Sequence, residues 1–418
     1  MLDRGEDSRQ SQRIASKNMD NQKSRLPGLI RSVLIAIAIA VSYPYLAGRI
    51  SALSTLTSSA LNKISEERSF SKYEVLFQDQ IRNCEDAILV EGHGAAILSC
   101  DAGRDRWNTV MGTFYQNRTT ITPGRLWLYR YDEQMHSGSS GLYPIKFEAL
   151  PDESKFHPLG IEYHENSSTL FVINHHLDGS RIEVFDLNLK SHDPIARHKR
   201  TLIHPQLTTP NSLRALNEHE LFVSNDHYFQ VRMNPLLAKA ETYGALPLGG
   251  VVHVHMHNDG STSVRPLARV PFANGVEFLN ASTLAVASTS ARDVRLYNIK
   301  SDRSLELVET ISVPMMPDNL SVDKKGGLLI TGHPHLPALA RMISNRARCL
   351  DQNLADERAC YDMSVPSCVM EWTGESGIKT VYRTAGEFSS SSTAVRDVGY
   401  GIGLITGLYE KGILVWKE

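Results

Sequence analysis

The sequence predicts an all-β protein, a six-bladed β-propeller with an N-terminal membrane-anchor helix. Three observations predict it. A charge-free apolar segment lies near the N-terminus, the apolar runs beyond residue 80 are short and rich in β-branched or aromatic residues, and those runs recur as hairpin units. Composition allows this reading. With 418 residues, 41% of them hydrophobic, the chain buries a sizeable core and is too apolar for wholesale disorder. A formal charge of -2 gives no electrostatic reason to expect nucleic acid as a partner. Five cysteines are too few for a disulfide scaffold.

The N-terminal elements come first. Residues 1–28 are polar, carry Arg4, Arg9, Arg13, Lys17, Lys23 and Arg25, and read as a cytoplasmic tail. Residues 29–48 read as a transmembrane signal-anchor around the apolar run Val33–Val41, with no charge between Arg31 and Arg49. Basic residues ahead of the segment keep the N-terminus cytoplasmic and put residues 50–418 on the lumenal or outer side. A cleaved signal peptide, which would make the protein secreted, and a buried core helix are the alternatives. Residues 49–79 read as a polar linker or stalk, and 80–418 as the propeller. Glycosylation sequons at Asn117, Asn166 and Asn280 agree with a lumenal side. Cys349 and Cys360 are close enough to bridge, free thiols being the alternative.

The propeller elements follow. Each unit has a loop residue, a short strand, a turn and a second strand ending in a small or polar residue. The pairs Glu85 to Ser99, Gly160 to Asn174, Asn211 to Asn225, Asn274 to Ser288, Asp318 to Gly332 and Ser392 to Thr406 share an offset of 14. Six such units are the footprint of a propeller. The region offers no long helical period. The opening residue is polar in most units: Glu85, Asn211, Asn274 and Asp318/Asn319. Equivalent positions of successive blades ring the central channel, so these residues converge. An all-oxygen set of carboxylates and amides suits Ca²⁺ and lacks the His and Cys that zinc prefers.

At this point the residues resemble the paraoxonase/arylesterase family over about residues 80–418. The matching runs include His157-Pro-Leu-Gly-Ile161, Ser224-Asn-Asp-His-Tyr-Phe229, Phe272-Ala-Asn-Gly275, Asp318-Asn-Leu-Ser-Val-Asp323 and Gly332-His-Pro334. The resemblance implies a catalytic calcium on Glu85, Asn211, Asn274, Asp318 and Asn319. It implies a second, structural calcium on Asp86 and the carbonyl of Ile161, with Ser212 where the family has an Asp. The family's histidine dyad falls on Leu159 and His175, so its first member is missing, and His157 lies two residues earlier. The family's C-terminal cysteine is also missing, and Cys84 and Cys100 read as buried thiols. No G-x-S-x-G elbow suggests a serine hydrolase.

The implied function is calcium-dependent hydrolysis of aryl esters or lactones. Calcium polarises the carbonyl, and His175, His227 or Glu85 activates water. The implied partners are a small ester or lactone and the membrane. A non-catalytic, calcium-stabilised lumenal binding propeller is the alternative, because position 159 is leucine. A propeller closer to lactonases or strictosidine synthases is a third reading.

Overall fold

Each hairpin unit forms the inner part of one blade, as its patterning requires. The computed structural model describes residues 30–37, 39–40, 42–57, 64–137, 140–189, 193–349 and 363–418. From the axis outward, blade I is Cys84–Val90, Ala95–Cys100, Arg125–Arg130 and Leu142–Pro144. Blade II is Pro158–His164, Thr169–Asn174, Arg181–Asn188 and Ile195–Leu202, with Lys146–Glu148 added in parallel. Blade III is Pro210–Asn217, Glu220–Asn225, Gly250–Met256 and Thr262–Arg269. Blade IV is Ala273–Asn280, Thr283–Ser288, Asp293–Ile299 and Leu305–Ser312. Blade V is Met316–Val322, Leu328–His333, Ser367–Thr373, Gly377–Thr384 and the short Glu67–Arg68. Blade VI is Ser391–Asp397, Ile402–Gly407, Ile413–Lys417 and Lys72–Leu76.

Blade VI closes the ring, because Lys72–Leu76 pairs antiparallel with Ile413–Lys417. The propeller therefore begins before residue 80, and residues 67–76 are edge strands where the sequence suggested a stalk. The strand signal there is only a few residues long and its partner lies at the far end of the chain. Strands alternate their side chains between two faces, so each blade packs against both neighbours. One apolar cluster fills each gap. Trp416, Phe388 and Tyr382 belong to the cluster between blades V and VI, and Phe171, Ile173 and Leu213 to that between II and III. Burying such a side chain contributes roughly 1.5–3 kcal/mol.

The chain divides into two units, Met1–Thr55 and Leu56–Glu418. Helix α1 (Ile30–Thr57) is long and apolar enough to cross a membrane, and Val33, Leu34, Ile35, Ile37 and Ile39 on it are exposed. It extends past residue 48, where the anchor was expected to end.

Among the described residues, three α-helices interrupt the strands: α2 (Tyr131–Ser137), α3 (Pro235–Gly244) and α4 (Leu336–Cys349). The sequence reading missed all three. Pro235 opens α3 at a position that suits proline, and α4 carries Leu336, Leu339, Met342 and Ile343 at helical spacing. Cys84 and Cys100 are not thiols. They are register partners on the two inner strands of blade I and form a disulfide. Cys349, at the end of α4, is also disulfide-bonded, and Cys360 lies outside the described residues. Cys368 is the free cysteine among the described residues.

Candidate metal centre

The inner strand of every blade carries the same irregularity. Its register against the second strand shifts after Cys84, Pro158, Pro210, Ala273, Pro317 and Ser391. A β-bulge re-aims the side chains at the shift. The residues that follow those pairs are Glu85, Leu159, Asn211, Asn274, Asp318 and Ser392. Blade II thus places Leu159, not Gly160, at the ring position. Its hairpin, like those of blades I and VI, is one residue longer than in blades III to V, since Pro158 pairs with Asn174, Cys84 with Cys100 and Ser391 with Gly407, while Pro210 pairs with Asn225. Gly160 and Gly275 come next, and neither has room for a side chain. A Cβ on Gly160 would meet the Asn211 carbonyl at 2.5 Å, and one on Gly275 the Asp318 carbonyl at 2.8 Å. Glycine lets neighbouring inner strands approach at the axis.

Hydrogen bonds join the ring across blades. Asn319 Nδ2 donates to Glu85 Oε1 at 2.9 Å and to Thr393 Oγ1 at 3.0 Å. Asn274 Nδ2 donates to Asp318 Oδ1 at 2.6 Å and to Thr289 Oγ1 at 3.1 Å. Asn211, at the same bulge of blade III, donates from Nδ2 to Asp226 Oδ2 at 3.3 Å. Each of the three side-chain amide groups is thereby held by its nitrogen. Their oxygens, Asn211 Oδ1, Asn274 Oδ1 and Asn319 Oδ1, are buried without a partner, and so is Glu85 Oε2. Leaving one buried acceptor unpaired costs about 1–3 kcal/mol. Four such oxygens on neighbouring ring positions are what a cation would satisfy, and an all-oxygen donor set fits calcium. Burial, followed by repulsion from Asp86 and Asp318, holds the Glu85 carboxyl well above the usual carboxylate range.

A second row supports the ring. The residue after each second strand's bulge partner is Asp101, His175, Asp226, Thr289, His333 or Leu408. Asp226 and Thr289 hold Asn211 and Asn274, and His333 Nε2 donates to Asp318 Oδ2 at 3.1 Å. Asp226, Thr289 and His333 escaped the sequence reading, although each lies 15 residues after its ring residue, one past the repeat's end. His333 Nδ1 is buried and unpartnered.

His175 has both ring nitrogens engaged. Nε2 donates to the Pro210 carbonyl at 2.8 Å, and Nδ1 accepts from Thr109 Oγ1 at 2.6 Å. Burial lowers its pKa. His227 lies between Asp226 Oδ1 at 2.9 Å and Thr242 Oγ1 of α3 at 2.6 Å. Burial works against its charge, but Asp226 outweighs that and raises the imidazole. His157 faces Asp101 at 3.1 Å, with Nε2 buried and unpartnered, and meets His175 only through the backbone. Leu159 packs among Ile173, Leu207 and Leu213.

The family model described as Arylesterase matches residues 115–347, more than half of the chain. The chain belongs to the arylesterase family. Human serum paraoxonase/arylesterase 1 is 27% identical over 221 residues, 51% of this chain and 58% of that protein. Chicken serum paraoxonase/arylesterase 2 is 28% identical over 219 residues, 51% of this chain and 58% of that one. The chain spans about half the length of the curated relatives it matches. Among solved structures, a gluconolactonase from Xanthomonas campestris aligns with a TM-score of 0.48 and 14% identity, covering 85% of this chain and 93% of that one.

In this arylesterase-family chain the second cation site does not fit its expected ligands. Asp86 Oδ1 accepts from Ala87 N at 2.8 Å and Thr393 Oγ1 at 3.2 Å, and Oδ2 from Ile161 N at 2.9 Å. Ile161 therefore meets Asp86 through its N–H, and its carbonyl accepts from Arg214 Nη1 at 3.4 Å. The Ser212 hydroxyl accepts from Val276 N at 3.3 Å. Burial lifts the Asp86 carboxyl to about 6.

Among the described residues, Asp152, His176 and Asp178 also bring metal-type ligand atoms together. Lys155 Nζ already bridges the two carboxylates, at 2.6 and 2.9 Å, and makes a cation there redundant. The arylesterase ring itself is roofed. Trp107 Nε1 donates to the His175 carbonyl, Thr242 of α3 meets His227, and Asn108 Nδ2 donates to the Tyr409 hydroxyl. Arg346 of α4 pairs with Asp105 at 2.8 Å. A cavity of ≈ 210 Å³ lies along the inner strands beyond the bulge, against Glu162, Arg214, Glu277 and Ser321. Another, of ≈ 350 Å³, lies by Tyr163, Asp186 and Arg197.

Proposed function

We propose that this protein is a calcium-dependent hydrolase of aryl esters and/or lactones. The observation that carries the reading is the set of four buried, unpartnered oxygens on Glu85, Asn211, Asn274 and Asn319. With Asp318, these residues would hold the ion. Calcium bound there supplies Lewis-acid polarisation of a carbonyl and stabilises the oxyanion that follows.

The chain's own residues do the rest. Asp318 accepts from His333 Nε2, which fixes the neutral tautomer with its lone pair on Nδ1. His333 Nδ1 takes the proton from the attacking water and returns it to the leaving oxygen. Glu85 Oε2 is committed to the ring. His175 and His227 act as positioning residues, the first anchoring the strand ahead of Asn211 and the second bracing Asp226. The roof excludes water and must move aside to admit substrate.

Helix α1 serves as the membrane anchor, following the polar tail 1–28, with the propeller on the lumenal or extracellular side. Asn117, Asn166 and Asn280 are exposed and Asn319, also in a sequon, is buried. A disulfide between Cys84 and Cys100 suits an oxidising compartment.

The test is hydrolysis of phenyl acetate and a lactone panel, in calcium and in chelator, by the wild type, His333→Gln, His175→Ala and His227→Ala. Activity that needs calcium and falls about 10²–10⁴-fold in His333→Gln supports the reading. Calcium bound without any hydrolysis makes the protein a binding propeller. Glycans on Asn117, Asn166 or Asn280 and none on Asn319 support the topology, and an unglycosylated, cytosolic propeller overturns it.

A further inference from the structure

Below the bulge the inner strands resume regular pairing, and the next layer of channel residues is Glu162, Arg214, Glu277 and Ser321 on blades II to V. Arg214 is buried at the centre of this arc. Its Nη2 donates to Glu277 Oε2 at 2.8 Å, and its Nη1 lies 3.2 Å from Glu162 Oε2. Nη1 also donates to the carbonyls of Leu213 at 3.0 Å and Ile161 at 3.4 Å. Carboxylates and carbonyls gathered around one positive centre are what a structural cation would take. Here a covalently attached guanidinium occupies that centre, with five donors in a fixed fork and no need of supply from solution.

The expected ligands of a second ion are spent in the same way. Asp86 accepts three hydrogen bonds from the protein, the Ile161 carbonyl is turned to Arg214, and the Ser212 hydroxyl accepts from Val276. A divalent ion beside Arg214 would also face its charge directly.

We propose that Arg214 is a built-in structural cation that replaces the second metal, so that the folded chain holds one calcium ion, at the ring, and not two. This rests on the reading of the ring as a calcium site. It predicts that the arc of Glu162, Arg214 and Glu277 keeps its structure when calcium is withdrawn, because its cation cannot leave.

The experiment is calcium stoichiometry on the full-length protein, equilibrated with calcium, desalted and analysed by elemental mass spectrometry. The wild type should carry one ion per chain, and Asn274→Ala none. Ser212→Asp/Arg214→Val, which restores a ligand and removes the guanidinium, should carry two. Arg214→Met should melt several degrees lower, by a deficit that added calcium does not recover. Two ions in the wild type, one of them lost in Asp86→Asn, overturn this proposal and leave the ring reading intact. No ion in the wild type overturns the ring reading and this proposal with it. An Arg214→Met protein that melts like the wild type overturns the structural role. Should Arg214→Met not fold, the wild-type stoichiometry still decides.

Discussion

Asn274→Ala separates the two tasks of a ring residue, holding its neighbours and offering an oxygen. Asn274 Nδ2 donates to a buried carboxylate, Asp318, and to a hydroxyl, Thr289. Losing one charge-assisted and one neutral hydrogen bond costs about 2–4 kcal/mol in the metal-free protein. On the proposed calcium reading, the lost Oδ1 acts separately, by weakening the hold on the ion. An ion at a thousand times its dissociation constant stabilises the folded state by about 4 kcal/mol. At roughly 2.1 cal/mol/K per residue, the propeller's unfolding entropy is about 0.75 kcal/mol/K. The wild type should therefore melt about 5 °C higher in excess calcium than in chelator. Asn274→Ala should melt about 3–5 °C below the wild type in chelator and recover less than half of the calcium increment. Differential scanning fluorimetry in the two buffers reads both numbers. A wild type that melts identically in each refutes the calcium ring. A variant that keeps the full increment shows that Asn274 is only a structural donor.

Glu162 is pushed up to about 7 by burial, which outweighs the nearby Arg214. Its raised pKa means the folded state binds the extra proton, so its contribution to stability falls as pH rises from about 4.5 to about 7. Glu162→Gln removes that titration, so the variant's melting temperature relative to the wild type should climb between pH 5 and 7.5, and a flat difference contradicts the assignment. Replacing Cys84 and Cys100 with serine opens a link between residues 16 apart and should cost about 3 kcal/mol, read as a melting temperature about 4 °C lower. Leu159→His puts an imidazole into the apolar cluster of Ile173, Leu207 and Leu213, while both nitrogens of His175 are already engaged, and should cost about 2–3 kcal/mol without speeding hydrolysis. A faster lactone rate in that variant would show that His175 can give up Thr109 or Pro210.

Local patterns carried much of this fold. Short β-branched runs and the recurring polar residue located all six blades and brought together Glu85, Asn274, Asp318 and Asn319. What depends on register was not legible. A fixed offset cannot register that hairpins differ in length from blade to blade, so in blade II Gly160 was read where Leu159 sits. The supporting row of Asp226, Thr289 and His333 is visible only once each hairpin is folded and its ends lie side by side. Arg214 escaped the sequence reading, because nothing local places Glu162 and Glu277 on the blades either side. Lys72–Leu76 was passed over for a related reason, since its partner strand is Ile413–Lys417.

That closure has a consequence for the order of events during synthesis. Lys72–Leu76 leaves the ribosome long before Ile413–Lys417, and at ~5–20 residues per second the wait is roughly 20–70 s. Throughout it the early strand is an unpaired edge, able to pair with any other exposed strand it meets. Its neighbours Glu67 and Arg68, destined for blade V, wait almost as long. The nascent propeller is therefore an open crescent whose two ends must be kept from other chains until they can meet each other. The yield of folded protein will be set by what shields that one early segment, more than by the stability of any finished blade.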